Sequence, residues 1–207
     1  MCASYGLGGG PYLGGDVPPD SILDTRENRG VLDEWMRDRK GDAKITGKNA
    51  RNLNPIIRDL GNGRRFDLAW WWLWYDASGP VKFSAFNSRD DKLLRSWKKP
   101  FQSRALLPAT WYVEKKVRFG LPDGEVFGIA ALTNTITQDD GTELITYSMV
   151  TREAPAGSEA ADAWNRMPLI LPVEMHDEWL SDRPGDESLV AEIQHASVEI
   201  SEAMTAG

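Results

Sequence analysis

The second residue of this chain is a cysteine, placed directly after methionine in the run Met1-Cys2-Ala3-Ser4-Tyr5. Methionine before a small residue is commonly removed, and its loss would leave Cys2 with a free α-amine and a thiol on one carbon framework. An α-amine has a pKa of about 7.7–8.0, so part of it is neutral and nucleophilic near neutral pH. Such a residue condenses with an aldehyde to a Schiff base, and the thiol then adds to the imine carbon and closes a five-membered thiazolidine. A terminal cysteine is therefore an aldehyde trap. Taken alone, a cysteine after the start codon is more often incidental, so other residues must decide. It is the only cysteine in 207 residues, so it has no internal disulfide partner and a disulfide-stapled secreted scaffold is excluded.

Several segments could position it. A helix is expected from Asp20 or Ser21 to about Lys40, after a Gly/Pro-rich loop at 6–19 whose glycines lack the strand-to-helix context of a phosphate loop. Strands are expected at 66–75 (FDLAWWWLWY), 81–87, 104–119 with a break near Pro108, 125–133, 143–151 and 168–171. Helices are expected at 88–97, 173–180 and 187–203. The fold class is α+β, a mainly antiparallel, barrel-like β core with flanking helices, in a single domain spanning 1–207. No apolar run is long enough to span a bilayer and no signal peptide is visible, so the expectation is a cytoplasmic monomer without membrane contact, metal or cofactor.

The net charge of −7 argues against a uniformly basic nucleic-acid binder, but it is unevenly spread. Residues 39–65 carry +6 and 82–118 carry +7, while 153–207 carry −10. Two basic segments inside an acidic chain could be solvated faces, or they could meet an anion. The four tryptophans at 70, 71, 72 and 74 exceed what one core face usually needs, and some of them are expected to line a groove where a ring can stack on a base.

Taken in order, MCASY at the start, RNLNP at 51–55, the tryptophan-rich strand, FNSRDD at 86–91, RALLPATWYVEK at 104–115 and NRMPLILP at 165–172 resemble the motifs of the SOS-response-associated peptidase (SRAP) family. The usual versions there are MCGRY, YNVAP, W-G-L-x-P-x-W, NARxE, RCLIPADGFYEW and HDRMPVILP. The resemblance spans nearly the whole chain. It implies a protein that traps abasic sites in single-stranded DNA through its N-terminal cysteine, after removing its own initiator methionine. Asn87 matches the Asn of NAR, which orients the cysteine and the sugar, and Glu114 matches the Glu of FYEW, a general acid/base. Arg89 and Arg166 match arginines on the DNA path. Arg51 and Asn52 lie in the first basic segment, and Trp74 falls in the tryptophan element as a stacking candidate.

The chemistry asks for these residue types. An abasic sugar is mostly a closed hemiacetal, and exposing its aldehyde requires proton transfer, which a buried carboxyl can supply. An amide can hold hydroxyl oxygens without titrating. The departures bear on mechanism: the family histidine position is Trp164, which cannot exchange protons; Ser4 replaces the arginine of MCGR; FYEW reads YVEK; and Trp111 replaces a glycine. His176 and His195 are weak substitutes. Two alternatives therefore stay open. One is a relative that binds single-stranded DNA or a protein partner without chemistry. The other is a self-processing cysteine peptidase, which would lack a conventional histidine partner.

Overall fold

The computed structural model describes residues 2–8, 26–61 and 63–207. Met1, most of the Gly/Pro-rich stretch and the expected helix start at Asp20 or Ser21 lie outside them. The chain runs β1 (Ser4–Gly6), α1 (Arg26–Arg39), β2 (Asp42–Lys44), β3 (Leu53–Asp59), β4 (Arg64–Trp71) and β5 (Asn87–Arg89). It continues through β6 (Arg104–Ala109), β7 (Trp111–Glu114), β8 (Val117–Gly120), β9 (Phe127–Thr137) and β10 (Glu143–Glu153). The last elements are α2 (Glu159–Ala163), β11 (Arg166–Pro168), β12 (Ile170–Leu171), α3 (His176–Leu180), α4 (Glu187–Glu202) and β13 (Thr205–Ala206).

The strands β10, β4, β3, β6 and β9 pair in that order, and β9 pairs back to β10, so this sheet closes into a five-stranded barrel. All contacts around the ring are antiparallel except β4 with β10. Closure follows from sequence that can be buried: β6 is buried at every position, and most of β9 and β10 is buried too. A second sheet, in the order β13-β8-β7-β1-β2, lies beyond it. Thr110 links the two, because β6 ends at Ala109 and β7 begins at Trp111. The expected strand at 104–119 therefore breaks at Thr110 and again at the Lys115-Lys116 turn, while Pro108 stays inside β6, opposite Gly128.

Two expectations fail for tertiary reasons. The strand expected at 81–87 is irregular until Asn87, its carbonyls meeting a mix of partners: the Trp72 indole donates to Val81 O (3.2 Å), Leu73 N to Ala85 O (3.2 Å), and both the Trp71 indole (2.8 Å) and Met149 N (2.9 Å) to Phe86 O. The helix expected at 88–97 gives way to β5, a 3-10 turn at Asp90–Lys92 and further turns, because β10 captures residues 87–89 at Met149–Thr151. Sheet pairing overrides local helical preference here. The expected strand at 66–75 likewise leaves the sheet after Trp71.

β1, which carries Cys2 toward the barrel, is held by a close crossing. Leu7 N donates to Gly41 O at 2.9 Å. A Cβ on Gly41 (φ +76°) would sit 1.9 Å from Leu7 O, and one on Gly6 would sit 2.1 Å from Gly41 O. Only glycine permits both this approach and this φ.

Candidate functional site

Cys2 is 1% exposed, and its thiol donates to Ser4 O at 3.3 Å. Ser4 faces Val113 across the β1–β7 pair, which brings the cysteine to the end of β7 where Glu114 sits. Burial pushes the Cys2 thiol up to about 12, and the negative charge of Glu114 adds to that rise. Glu114 is 4% exposed, so it is not the solvated face residue that a glutamate on a strand usually is. Asn87 arrives from β5, and its side-chain amide donates to Cys2 O at 2.7 Å. The Asn87 Oδ1 atom is buried and accepts no hydrogen bond among the described residues. Cys2, Asn87 and Glu114 are thus brought together from three separate parts of the chain.

Beneath them lies a network that the sequence motifs did not single out. Tyr5 and Tyr147 share a hydroxyl–hydroxyl bond of 2.7 Å, and Asn54 donates to the Tyr147 oxygen at 3.0 Å. Asn54 also donates to Asn52 Oδ1 (3.0 Å), and the Asn52 amide donates to Lys44 O (2.8 Å). Trp71 stacks on Tyr147, with ring centroids 5.9 Å apart, and meets the edge of Tyr5 at 5.0 Å. Burial raises both phenols above the ordinary tyrosine range, so they remain hydrogen-bond donors at neutral pH. Tyr112, fully buried and stacked on Phe119, has a hydroxyl without a hydrogen-bond partner among the described residues. Burial raises its pKa, and the charges of Cys2 and Glu114 add to the effect. Tyr5 and Asn54 fall within MCASY and RNLNP, so their positions carried a signal; Tyr147 carried none.

The residues expected to touch DNA are placed less uniformly. Asn52 is 6% exposed and spends its amide on the network just described. Arg51 is exposed beside a surface hollow that it shares with Arg39, Lys40 and Lys44. Arg89 is exposed and forms a two-pronged pair with Asp91, at 2.8 and 2.9 Å. Arg166 is largely enclosed: it pairs with Asp90 at 3.0 Å and donates to both oxygens of Thr151. Its geometry is that of an internal pin between β10 and the turn after β5. Trp74, expected to stack on a nucleotide, is instead 9% exposed, packed on Ile136, Leu144 and Trp70. Little of its ring is open to a base, because the aromatic run turns inward to fill the barrel and its flank.

Trp164, at the family histidine position, is 39% exposed, and the Lys115 ammonium lies 3.8 Å from its ring centroid. Lys115 stands where FYEW has its tryptophan. Two departures from the family pattern therefore touch in space. His176 packs near Gly128, with Nε2 3.1 Å from Leu171 O, and His195 lies on the exposed face of α4. No group of His, Cys, Asp and Glu suited to a metal ion occurs among the described residues. No helix among them is long and apolar enough to cross a membrane.

Comparison with known proteins adds three findings. A family model described as SOS response associated peptidase (SRAP) matches residues 30–206. The abasic site processing protein YoqW of Bacillus subtilis (strain 168) is 28% identical over 151 residues, 66% of each chain, and the protein of that name from Bacillus phage SPbeta matches equally. The match thus spans just under two thirds of those relatives' length. The crystal structure of a protein from Bordetella bronchiseptica aligns with a TM-score of 0.64 at 17% identity, over all of this chain and 98% of its own. One from Bacteroides thetaiotaomicron aligns with a TM-score of 0.59 at 20% identity, covering 79% of this chain and 76% of its own. At such identities the likeness to the two solved structures establishes the fold alone.

Proposed function

The chain belongs to the SOS response associated peptidase (SRAP) family, and on that premise we propose that it processes abasic sites in single-stranded DNA by trapping them on Cys2. The observation that carries this reading is the Asn87 amide on the Cys2 carbonyl at 2.7 Å, with Glu114 buried within electrostatic reach of the thiol. The name of the YoqW relatives, abasic site processing protein, supports the abasic-site part of this reading.

In this reading Met1 is removed and the Cys2 amine attacks the aldehyde of the ring-opened sugar. A carbinolamine forms and loses water to give the imine. The thiol sulfur then bonds to the imine carbon, the C=N π electrons pass to nitrogen, and the thiol proton ends on that nitrogen. The net loss is one water. Glu114 relays the protons of ring opening and of sulfur addition, and Asn87, with its unoccupied Oδ1, fixes the Cys2 backbone and accepts from a sugar hydroxyl.

The test is incubation with single-stranded DNA containing one abasic site, followed by denaturing electrophoresis. A heat-stable shifted band is expected that Cys2→Ala abolishes. Its absence from protein whose intact mass shows Met1 removed would sink the proposal.

Trp164 at the histidine position favours a second reading, in which the protein binds single-stranded DNA without chemistry. It predicts salt-sensitive binding, no covalent product, and no effect of Cys2→Ala.

A further inference from the structure

Among the described residues Trp164 is the one exposed tryptophan, 39% open to solvent. It follows α2 directly, and the Lys115 ammonium sits over its ring at 3.8 Å. Lys115 is the residue after Glu114, so this aromatic–cation pair lies one position along the chain from the carboxylate that acts on the Cys2 thiol. The turn that presents the lysine is itself unusual. Glu114 pairs with Val117, which leaves Lys115-Lys116 as a two-residue hairpin loop, and both have positive φ, 50° and 70°. Asn-Gly adopts that turn at far lower cost, and two lysines hold it against their own preference. Both lysines are exposed, and neither makes a salt bridge among the described residues. An unfavourable backbone that displays two lysines without salt bridges, one of them against a half-open indole, suits a ligand that is at once flat, apolar and anionic.

We propose that Trp164, Lys115 and Lys116 form a nucleotide subsite beside the end of β7 that carries Glu114, where a base stacks on the indole and flanking phosphates meet the two ammonium groups. The proposal rests on the reading that single-stranded DNA reaches Cys2. It assigns to the histidine-to-tryptophan change a gain in strand binding at a position that has lost proton transfer. A nucleobase fits better than an apolar side chain because the ring is backed by a cation and lies beside a segment of net charge +7, residues 82–118.

The experiment measures binding of a dye-labelled oligothymidylate without any abasic site, by fluorescence anisotropy over a range of salt. Trp164→Ala should weaken binding by about 5- to 150-fold, the usual worth of one base–aromatic stack, and Trp164→Phe should keep most of it. The double variant Lys115→Asn/Lys116→Gly installs the sequence preferred by the turn, so its Tm should hold or rise. Its affinity should nevertheless fall, and its log–log salt slope should drop by about 1.4, at about 0.7 per phosphate contact. Unchanged affinity in Trp164→Ala, an unchanged salt slope in the double variant, or no binding of intact strand by the wild type would each overturn the subsite. The trapping reading fails separately: a protein that binds intact strand through Trp164 yet never crosslinks keeps the subsite and loses the trap. One that crosslinks while ignoring Trp164→Ala does the reverse.

Discussion

The most informative perturbation of this site is pH, read through alkylation of its one thiol. Burial, with help from Glu114, pushes Cys2 from 9.0 up to about 12. At about pH 7.5 the unburied thiol is about 3% thiolate, whereas the native one should be near 3 in 100,000, roughly a 1,000-fold difference. Higher basicity makes each thiolate more nucleophilic, with a Brønsted slope of about 0.4–0.5, which brings the net retardation to roughly 30- to 60-fold. The assay follows iodoacetamide modification by intact mass across pH, in native protein and in urea. Because the chain has one cysteine, the unfolded protein is its own reference. The urea rate should level off above about pH 9, while the native rate should keep climbing about tenfold per unit. Glu114→Gln removes a negative charge that opposes ionisation, so it should speed native alkylation while leaving the urea rate alone. A native inflection at about pH 8–9, or a neutral rate within about tenfold of the unfolded one, would show that the thiol is not desolvated and would refute the reasoning.

Three further outcomes follow from the same geometry. A thiol raised from 9.0 to about 12 in the fold contributes stability that is complete below about pH 9 and lost as pH climbs toward the folded value, roughly 4 kcal/mol in all at about 1.36 per unit; urea titrations across that window should show the loss, and Cys2→Ala should flatten its first part. Arg166→Met strips the salt-bridge partner from Asp90, which is 7% exposed and among the described residues keeps a side-chain hydrogen bond from the Gln194 amide at 3.0 Å and the more distant charge of Arg152, so it should cost up to about 3 kcal/mol by denaturant titration. Arg89→Ala breaks an exposed pair and should cost less than about 1 kcal/mol, and equal effects at the two arginines would refute the distinction. Tyr112→Phe deletes a buried hydroxyl that has no hydrogen-bond partner among the described residues, so it should gain about 1 kcal/mol and raise Tm by about 2–4 °C in calorimetry; a lower Tm would mean that the hydroxyl is satisfied in solution.

The α+β class and the barrel-like core were legible because most barrel strands announce themselves as β-branched and aromatic runs between turn residues, as at 125–133 and 143–151. Cys2, Asn87 and Glu114 were legible only as an ordered set, since each alone has a commoner role. What sequence could not supply were partners fixed by long-range closure. Nothing in RDD at 89–91 says that Arg89 takes Asp91 while Asp90 waits for Arg166, 76 residues further on. The same holds for Tyr5 and Tyr147, separated by 142 positions yet joined by one hydrogen bond. The tryptophan run misled for a related reason: a closed barrel offers more interior than an open sheet, and Trp71 and Trp74 were drawn into it or against its flank.

The raised thiol also sets the order of events in the proposed chemistry. At neutral pH the Cys2 sulfur is protonated and hydrogen-bonded to Ser4 O, so it is a poor first nucleophile. The α-amine, with an ordinary pKa of about 7.7–8.0, is partly neutral in the same range and must attack the aldehyde first. Once the imine exists, its carbon is held within the reach of the same residue's side chain, and the sulfur needs to lose its proton only as the carbon–sulfur bond forms. In the proposed chemistry Glu114, the buried carboxyl whose charge already acts on that sulfur, takes the proton and returns it to nitrogen. A pocket that holds the thiol protonated also protects it from oxidants and stray electrophiles until an amine-bound aldehyde arrives. Selectivity for aldehydes then comes from desolvation: an electrophile that needs a free thiolate finds almost none, and one that first captures the amine carries its own carbon to the sulfur.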